Sequence, residues 1–352
     1  MTEINLEYQA ITIDTCIFDE RDCGLEKGLL KQLYQFKGSP VVLVLSEIVI
    51  RELQKHMTEK IKDSRAKIGR AMKLASAHLC LAEVDADQIC TKILGIISDS
   101  ALAKQRIHEF ITNTGAKIIV PELATMDSLV SMYFDISPPF KNIDNKKHEF
   151  PDAIALLSLE AWADDNNVRL LAVSKDNGWK EYAEGSTSIV VIEDLTKAMA
   201  EFQTPNAVRS IVELLISSID SETDNDILFG ITDELTKSLL DVDIEIEAYS
   251  AFSYETEDVY AKYLGHDFVR DSSSKSPIIE VIRVDQDCVV LQVEVDVTCE
   301  VFCTFELSVY DGVDREDVHL GKNSASVIQE YSTGVLLTLV GDFAKGLEFI
   351  EL

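Results

Sequence analysis

The sequence has none of the features that mark a membrane or secreted protein. Its first ten residues, MTEINLEYQA, contain neither the basic start nor the apolar core of a signal peptide. The apolar run VVLVLSEIVI is interrupted by Glu47, and no uninterrupted run is long enough to span a bilayer. We therefore expect a soluble, cytoplasmic protein with no membrane partner.

The motifs of several common cofactor sites are also missing. None of the seven cysteines forms a CxxC pair or lies at zinc-finger spacing from a histidine. Because the cysteines lie in apolar segments, we expect buried, reduced thiols. The sequence contains neither GxxxxGK[ST] nor GxGxxG, so neither ATP nor a dinucleotide is a predicted ligand.

Basic residues are scarce, and they are scarcest in the second half of the chain. The whole chain has 32 Lys and Arg against 62 Asp and Glu, a net charge of −30. Residues 205–352 contain nine basic and thirty-one acidic side chains, a net charge of −22, which leaves −8 for residues 1–204. A strongly negative surface repels nucleic acid, so any phosphate-binding function is expected in the first half.

The length of 352 residues and a change of hydrophobic period predict two domains, residues 1–204 and 205–352. In the first, buried strands alternate with helical segments, which predicts a doubly wound α/β fold with a parallel sheet. The predicted strands are ITID, VVLVL, AKIIVP, VRLLAVS and SIVVIED. The predicted helices cover about 26–36, a long segment from Ser46, 87–113, 126–134 and a segment from Pro151.

The second half alternates apolar and polar residues with a period of two. This pattern predicts a β-rich antiparallel domain with one solvated face. Its predicted strands are DVDIEIEAY, VLQVEVDV, EVFCTFELSVY, GVLLTLVG and GLEFIEL.

Four acidic residues lie at predicted strand ends or helix starts, namely Asp14, Glu52, Asp152 and Asp176. Ligands of an open parallel sheet bind outside the carboxyl ends of its strands, so the four side chains can reach one crevice. Buried carboxylates are costly unless a partner or a cation neutralises them, and an oxygen-rich cluster suits Mg²⁺ or Mn²⁺. A single Asp in such a place is commonly a turn residue or a helix cap, so the prediction depends on all four together.

The same acids, in this order, resemble the motifs of PIN-domain nucleases over roughly residues 10–195. The motifs are Asp14-Thr15 after a strand, Glu52-Leu53 on a helix, Asp152-Ala153-Ile154 on a helix, and Ser174-Lys175-Asp176 after a strand. The likeness is closer to a larger bacterial subgroup with inserted helices and a C-terminal β-rich domain. Cys16 stands where the family usually has Asn, which is expected to remove one hydrogen bond, and Glu47 competes with Glu52 for the second acidic position.

The resemblance implies a metal-dependent endonuclease that hydrolyses phosphodiester bonds, usually in single-stranded RNA, with Mg²⁺ or Mn²⁺. Asp14 and Asp152 would bind the cation directly, Asp176 directly or through water, and Glu52 would be a ligand or would orient the attacking water. Thr15 and Ser174 would supply hydrogen bonds around the metal and substrate. A toxin-like or defence role, a structure-specific DNA nuclease and a non-catalytic PIN-like interaction module remain open.

The helix that contains Glu52 is basic in an otherwise acidic chain, and a loop before Asp152 adds three lysines. We expect this surface to contact the nucleic-acid backbone. The residues chosen for that role are Arg51, Lys55, Lys146 and Lys147, with Lys141 in the same loop. The alternative is a solvated helix face or a patch that docks against the acidic half.

Other residues near the site have less definite assignments. Trp179 and Phe150 are candidates for stacking on bases, although core packing is favoured for both. His56 and His148 lie close to the site in sequence, without metal-ligand spacing.

The role of the acidic β-rich domain is open at this point. It is too negative to bind RNA directly. It could cover the basic helix as a mimic of nucleic acid, form a docking or homo-oligomer surface, or serve only to keep the protein soluble. A protein partner or a second copy of the chain is therefore expected.

Overall fold

The computed structural model describes most of the chain. The described ranges are residues 7–79, 97–141, 149–203, 226–240, 244–285, 288–311, 316–340 and 348–351, with isolated residues at 92, 95, 212–213, 215–217, 219–220 and 242. The chain divides into two compact units, Met1–Phe202 and Gln203–Leu352. The assignment of a nuclease role to one and a regulatory role to the other stays a prediction.

The first unit contains a five-stranded parallel sheet. Its strands are β1 (Ala10–Ile13), β2 (Val42–Ser46), β3 (Lys117–Ile119), β4 (Leu170–Val173) and β5 (Ile189–Ile192). Their order from edge to edge is β3-β2-β1-β4-β5. The chain leaves β1 in one direction and returns on its other side as β4, so the strand order reverses between these two strands. The predicted doubly wound α/β fold is confirmed, and such a reversal point is where ligands bind in open sheets.

Helices connect the strands of this sheet and cover it. They are α1 (Thr15–Glu20), α2 (Gly28–Gln32), α3 (Glu47–Leu79), α4 (Asp99–Thr114), α5 (Met126–Asp135), α6 (Phe150–Asn166), α7 (Asn177–Gly185) and α8 (Leu195–Ala200), with 3₁₀ turns at Leu33–Phe36 and Pro121–Leu123. Side chains cap several of their first turns, as Thr125 does for α5 and Asp194 for α8. No helix in the described ranges is both long and apolar enough to cross a membrane.

Two helix predictions in the first unit need correction. The helix expected over 87–113 is not continuous: Lys92 is helical, but Gly95 and Ile97 are not, and α4 begins at Asp99, where Ser98 is extended and its hydroxyl accepts the Ala101 N–H at 3.3 Å as an N-cap. Residues 87–91, 93, 94 and 96 lie outside the described residues. The helix expected over 26–36 is α2 followed by a 3₁₀ turn. Helix α1 was not predicted, because six residues are too few to display a helical apolar period.

The second unit is an antiparallel sheet, as predicted. Its strands are β6 (Ser253–Phe268), β7 (Ile279–Val284), β8 (Cys288–Asp311), β9 (Glu316–Val340) and β10 (Glu348–Glu351). The order is β10-β9-β8-β6, and β7 also pairs with β8. Helix α9 (Asp226–Ser238), which was not predicted, packs on this sheet. The shared core contains Ile231, Leu235, Val289, Leu291, Val293, Val295, Val297, Leu337 and Leu339.

The predicted strand DVDIEIEAY is wrong for its described part. Residues 244–250 form no strand, yet Ile244 and Ile246 pack against a cluster of Leu239, Ala261, Cys299 and Val301. The apolar residues alternate in this segment because one side of the chain packs against the core, and not because the segment pairs as a strand. The cysteines in the described residues form no disulfide, in agreement with the expectation of free thiols; Cys80 and Cys90 lie outside them.

Candidate active site

Asp14 lies at the point where the strand order reverses. It follows β1, its backbone N–H donates to the Val173 carbonyl at the end of β4 at 3.0 Å, and it is the N-cap of α1. Its Oδ1 accepts the Thr15 N–H at 2.6 Å and its Oδ2 accepts the Ser174 hydroxyl at 2.7 Å. Only 6% of the residue is exposed. Both carboxylate oxygens are therefore held by donors from the ends of the two central strands.

Ser174 connects Asp14 with Asp176. Its fully buried hydroxyl donates to Asp14 and accepts the Asp176 N–H at 3.0 Å. Asp176 is in turn the N-cap of α7, where Oδ1 accepts the N–H groups of Gly178 at 2.6 Å and Trp179 at 3.2 Å. One serine thus sets the position of both acids that follow the central strands.

Trp179 connects the same turn to Asp152 in the first turn of α6. The indole is fully buried, and its Nε1–H donates to Asp152 Oδ1 at 2.9 Å. The side chain therefore packs in the core and is not available to stack on a base. No sequence motif predicted this contact. The one indication in the sequence is an aromatic residue with an N–H donor three residues after Asp176.

Glu52 joins the cluster through Thr15. The Thr15 hydroxyl donates to Glu52 Oε2 at 2.9 Å, which connects α1 with α3. Glu47 instead forms a salt bridge with Arg51, with Oε1 at 2.5 Å from Nη2. These contacts favour Glu52 over Glu47 as the second acid.

The other three carboxylates lie close enough to Asp152 to affect its ionisation. Burial is the main cause that raises the pKa of Asp152 to about 7. The Trp179 hydrogen bond lowers this pKa, while the charges of Asp14, Asp176 and Glu52 raise it. Burial likewise raises the pKa of Asp14, against hydrogen bonds from Cys16, Ser174 and Thr15. The structure thus brings the four predicted acids together.

Cys16 lies beside Asp14 and takes part in the hydrogen bonds of the site. Its sulfur accepts the Lys175 N–H at 3.4 Å and lies 3.9 Å from the Ser174 hydroxyl. Burial and the Asp14 charge raise the pKa of the thiol to about 12, so it is neutral. Sulfur is a weak hydrogen-bond acceptor, so Cys16 replaces only part of the hydrogen bonding expected from an Asn at this position.

The acids have the oxygen ligands of a cation site, but their side chains do not converge in a geometry that would already coordinate a metal ion. In the described ranges no Lys, Arg or His forms an ion pair with Asp14, Glu52, Asp152 or Asp176. Uncompensated carboxylates of this kind fit Mg²⁺ or Mn²⁺. However, no three His, Cys, Asp or Glu side chains of the described residues stand as a group that could already hold a metal. Their oxygens bond to donors of the protein instead.

The predicted substrate residues lie partly beside the acids and partly outside the described residues. Arg51 and Lys55 are exposed in the first turns of α3, next to Glu52. Lys146, Lys147 and His148 lie outside the described residues.

Some of the basic side chains farther along α3 are neutralised within the unit. Lys60 pairs with Asp22 at 2.7 Å, and Arg65 pairs with Asp99 at 2.5 Å. His56 lies one turn after Glu52 and its Nδ1 is 2.7 Å from Asp19 Oδ2. The free positive charge of α3 is therefore less than its sequence suggests.

The loop that leads to Lys141 packs directly on the first turn of α7. A Cβ at Gly178 would lie 2.8 Å from the Pro139 Cβ and 2.9 Å from Asp176 Oδ1. Only glycine fits between this loop and the Asp176 cap. Pro139 is thereby held beside the Asp176 cap.

Comparison with known protein families places the acids within a matched region. A family model described as the PIN domain matches residues 11–179, a range that includes all four acids. No curated protein matches the chain, and no solved structure matches it.

The pKa of Asp152 predicts a specific effect on stability in metal-free buffer. The folded protein keeps a proton on Asp152 up to about pH 7, whereas the unfolded chain releases it near 3.8. The free energy of unfolding should therefore fall as pH rises between these values. The full shift corresponds to about 4 kcal/mol, and we expect about half because the carboxyl is only partly buried.

Urea unfolding of the wild type and of Asp152→Asn at pH 4, 6 and 8 measures this effect. The wild type should lose about 2 kcal/mol relative to the variant from pH 4 to pH 8. A difference between the two proteins that stays constant with pH would contradict the assignment.

Proposed function

Because a family model of the PIN domain matches residues 11–179, we propose that the first unit is a metal-dependent endonuclease that hydrolyses phosphodiester bonds in single-stranded RNA. PIN domains are generally nucleases. The observation that carries the proposal is a cluster of four carboxylates at the point where the strand order reverses, in which the charges of Asp14, Asp176 and Glu52 act on Asp152. It has the oxygen donors for divalent cations and, within the described residues, no cationic side chain as a partner.

Asp14, Asp152 and Asp176 are the proposed ligands of Mg²⁺ or Mn²⁺. When bound, the cation would lower the pKa of a bound water and neutralise charge on the reacting phosphate. Each of the three residues is already oriented by a donor of the protein, namely Ser174 for Asp14, the α7 backbone for Asp176 and Trp179 for Asp152. Such orienting contacts strengthen metal sites.

Glu52 is the proposed residue that orients the attacking water. Its Oε2 is held by the Thr15 hydroxyl, so the carboxylate has a fixed place beside Asp14. A carboxylate held in this way can accept a proton from water and align it. Asp152 must lose its own proton to bind a cation, so cation affinity should increase with pH up to about 7.

Arg51, Lys55, Lys146 and Lys147 are the proposed contacts to the RNA backbone. The salt bridge of Arg51 with Glu47 is solvent-exposed, and such pairs are weak enough to exchange for a phosphate. Lys55 is exposed one turn along the same helix. The two lysines of the loop are proposed from their position in the sequence, just before Asp152.

Loss of one ligand should abolish cleavage without loss of the fold. Asp14→Asn keeps the size of the side chain but removes its charge, so we expect metal-dependent cleavage of labelled single-stranded RNA to fall at least about 100-fold. Asp22→Asn is the matched control. Asp22 is an exposed acid just after α1, the helix that Asp14 caps, and it pairs with Lys60. Single-stranded DNA in a parallel reaction tests the choice of RNA.

Three results would contradict this proposal. They are cleavage that continues in EDTA, equal activity of the Asp14 and Asp22 variants, and no cleavage of RNA by the wild type in Mn²⁺ or Mg²⁺. Cleavage of DNA alone would keep the nuclease and overturn the substrate.

Trp179→Phe should weaken cation binding while leaving the core largely packed. Without the indole N–H, Asp152 loses the donor that orients it, and we expect the Mn²⁺ dissociation constant to rise about tenfold. Trp162→Phe is the matched control, because the indole N–H of Trp162 has no hydrogen-bond partner among the described residues. Titration of Mn²⁺ by electron paramagnetic resonance measures both; equal affinities would show that the contact does not position Asp152.

Charge reversal at Lys55 should weaken RNA binding more than the same change far along α3. Lys55 and Lys73 are both exposed on this helix, and about 27 Å of helix separates them. In EDTA, Lys55→Glu should reduce RNA affinity several-fold and make it less sensitive to salt, whereas Lys73→Glu should have little effect. Fluorescence anisotropy at several salt concentrations measures both quantities. Equal effects at the two positions would argue against a track that begins at Glu52.

A further inference from the structure

Strand β9 of the second unit has a long open edge. One side of β9 pairs with β8 along its whole length, from Glu316 to Val340. On the other side β10 pairs only with Thr338, Leu339 and Val340. From 316 to 337, therefore, no strand in the described part of the chain occupies the outer edge. Such an edge presents unpaired backbone N–H and C=O groups, and residues 317–332 are all exposed.

Beyond Lys322, this edge lacks the features by which monomeric proteins protect open strands. Such strands usually contain proline, several lysines or a bulge. The bulge in β9 lies next to Gly321, opposite Leu307 and Ser308. From Asn323 to Leu337 the sequence NSASVIQEYSTGVLL contains no proline and no basic residue, and its one charge is Glu330. In a half-chain of net charge −22, this is a nearly neutral stripe.

Apolar side chains stand exposed at the centre of the stripe. Val327 is 50% exposed and Ile328 is 63% exposed, and as neighbours in a strand they point to opposite faces of the sheet. A strand added to the edge would cover part of both. Isolated exposed apolar residues need no explanation, but these two flank an open hydrogen-bonding edge.

We propose that a second copy of this chain pairs with this edge, antiparallel, about a two-fold axis at Ser326. In this register Lys322 of one copy lies opposite Glu330 of the other, and the symmetry repeats the pair. Asn323 lies opposite Gln329, and Ala325 lies opposite Val327. The edge is thus complementary to itself, with opposite charges at both ends and no like charges facing each other.

The pairing of Lys322 with Glu330 favours a second copy as the occupant, because each copy supplies one charge of each pair. Acidic surfaces of two copies repel each other where acids face acids. The stripe of residues 323–337 contains one acid, so two copies can approach there with little electrostatic repulsion. The present contact of Lys322, a salt bridge to Glu257 on β6, leaves its side chain 58% exposed. Lys322 can therefore also face Glu330 of a second copy.

Charge exchange in the full chain tests the register directly. Sedimentation velocity over a range of concentrations should show a dimer for the wild type. Lys322→Glu and Glu330→Lys, each alone, place like charges opposite each other twice and should raise the dimer dissociation constant about tenfold or more. The double variant Lys322→Glu, Glu330→Lys restores opposite charges and should restore the dimer.

A cysteine at the axis provides a second readout. Ser326→Cys should form a disulfide-linked dimer on mild oxidation, because the two copies of residue 326 face each other. Ser332→Cys, exposed on the same strand, should not, because its counterpart in this register is Leu320. Nuclease activity plays no part in either measurement.

A wild type that stays monomeric at about 100 µM would overturn the proposal, because its dimer dissociation constant would then lie well above that concentration. The proposal would equally be overturned by single charge variants that dimerise as the wild type does, by a double variant no better than the single ones, or by equal cross-linking at 326 and 332.

Discussion

The hydrogen bond from the Ser174 hydroxyl to Asp14 Oδ2, at 2.7 Å, is the contact on which the rest of the candidate site depends. It joins the ends of β1 and β4, the two strands between which the strand order reverses. From Ser174 the contacts continue to the Asp176 N–H, from the α7 cap to Trp179, and from the Trp179 indole to Asp152. On the other side Thr15 connects Asp14 to Glu52. These contacts link two acids that cap helices, Asp14 and Asp176, with two that lie within helices, Glu52 and Asp152.

The same contacts explain how a globular core tolerates so much negative charge. Burial disfavours the ionised forms of Asp14 and Asp152 and raises the pKa of each. Hydrogen bonds from the protein offset part of this cost, but the mutual repulsion of the acids remains. A structure that needed only stability would be served better by neutral caps at these positions. The retained repulsion is what makes the cluster a suitable place for a divalent cation, which could in turn bind a phosphate.

The sequence contained most of the information about where the acids lie, because a parallel sheet brings strand ends to one edge. Asp14 and Asp176 could be assigned from the apolar runs before them, and Asp152 from the proline at the start of α6. The Trp179 contact could not be predicted, because it joins two helices and depends on a side-chain orientation that only packing decides. The strand predicted at DVDIEIEAY failed for a related reason. Alternation records which side chains face a core, and Ile244 and Ile246 are half-buried against one without pairing to a strand.

The pairing capacity of β9 was likewise beyond the sequence, since it depends on where β10 stops. For the first unit, the central claim is that the four acids form one cation site. A crystal structure of the wild type grown with Mn²⁺, with data collected at the manganese absorption edge, tests it most directly. The account predicts an anomalous peak within about 2.5 Å of carboxylate oxygens of Asp14 and Asp152, with Asp176 bound directly or through one water. Manganese bound elsewhere, or no peak beside Asp14 at millimolar Mn²⁺, would contradict it.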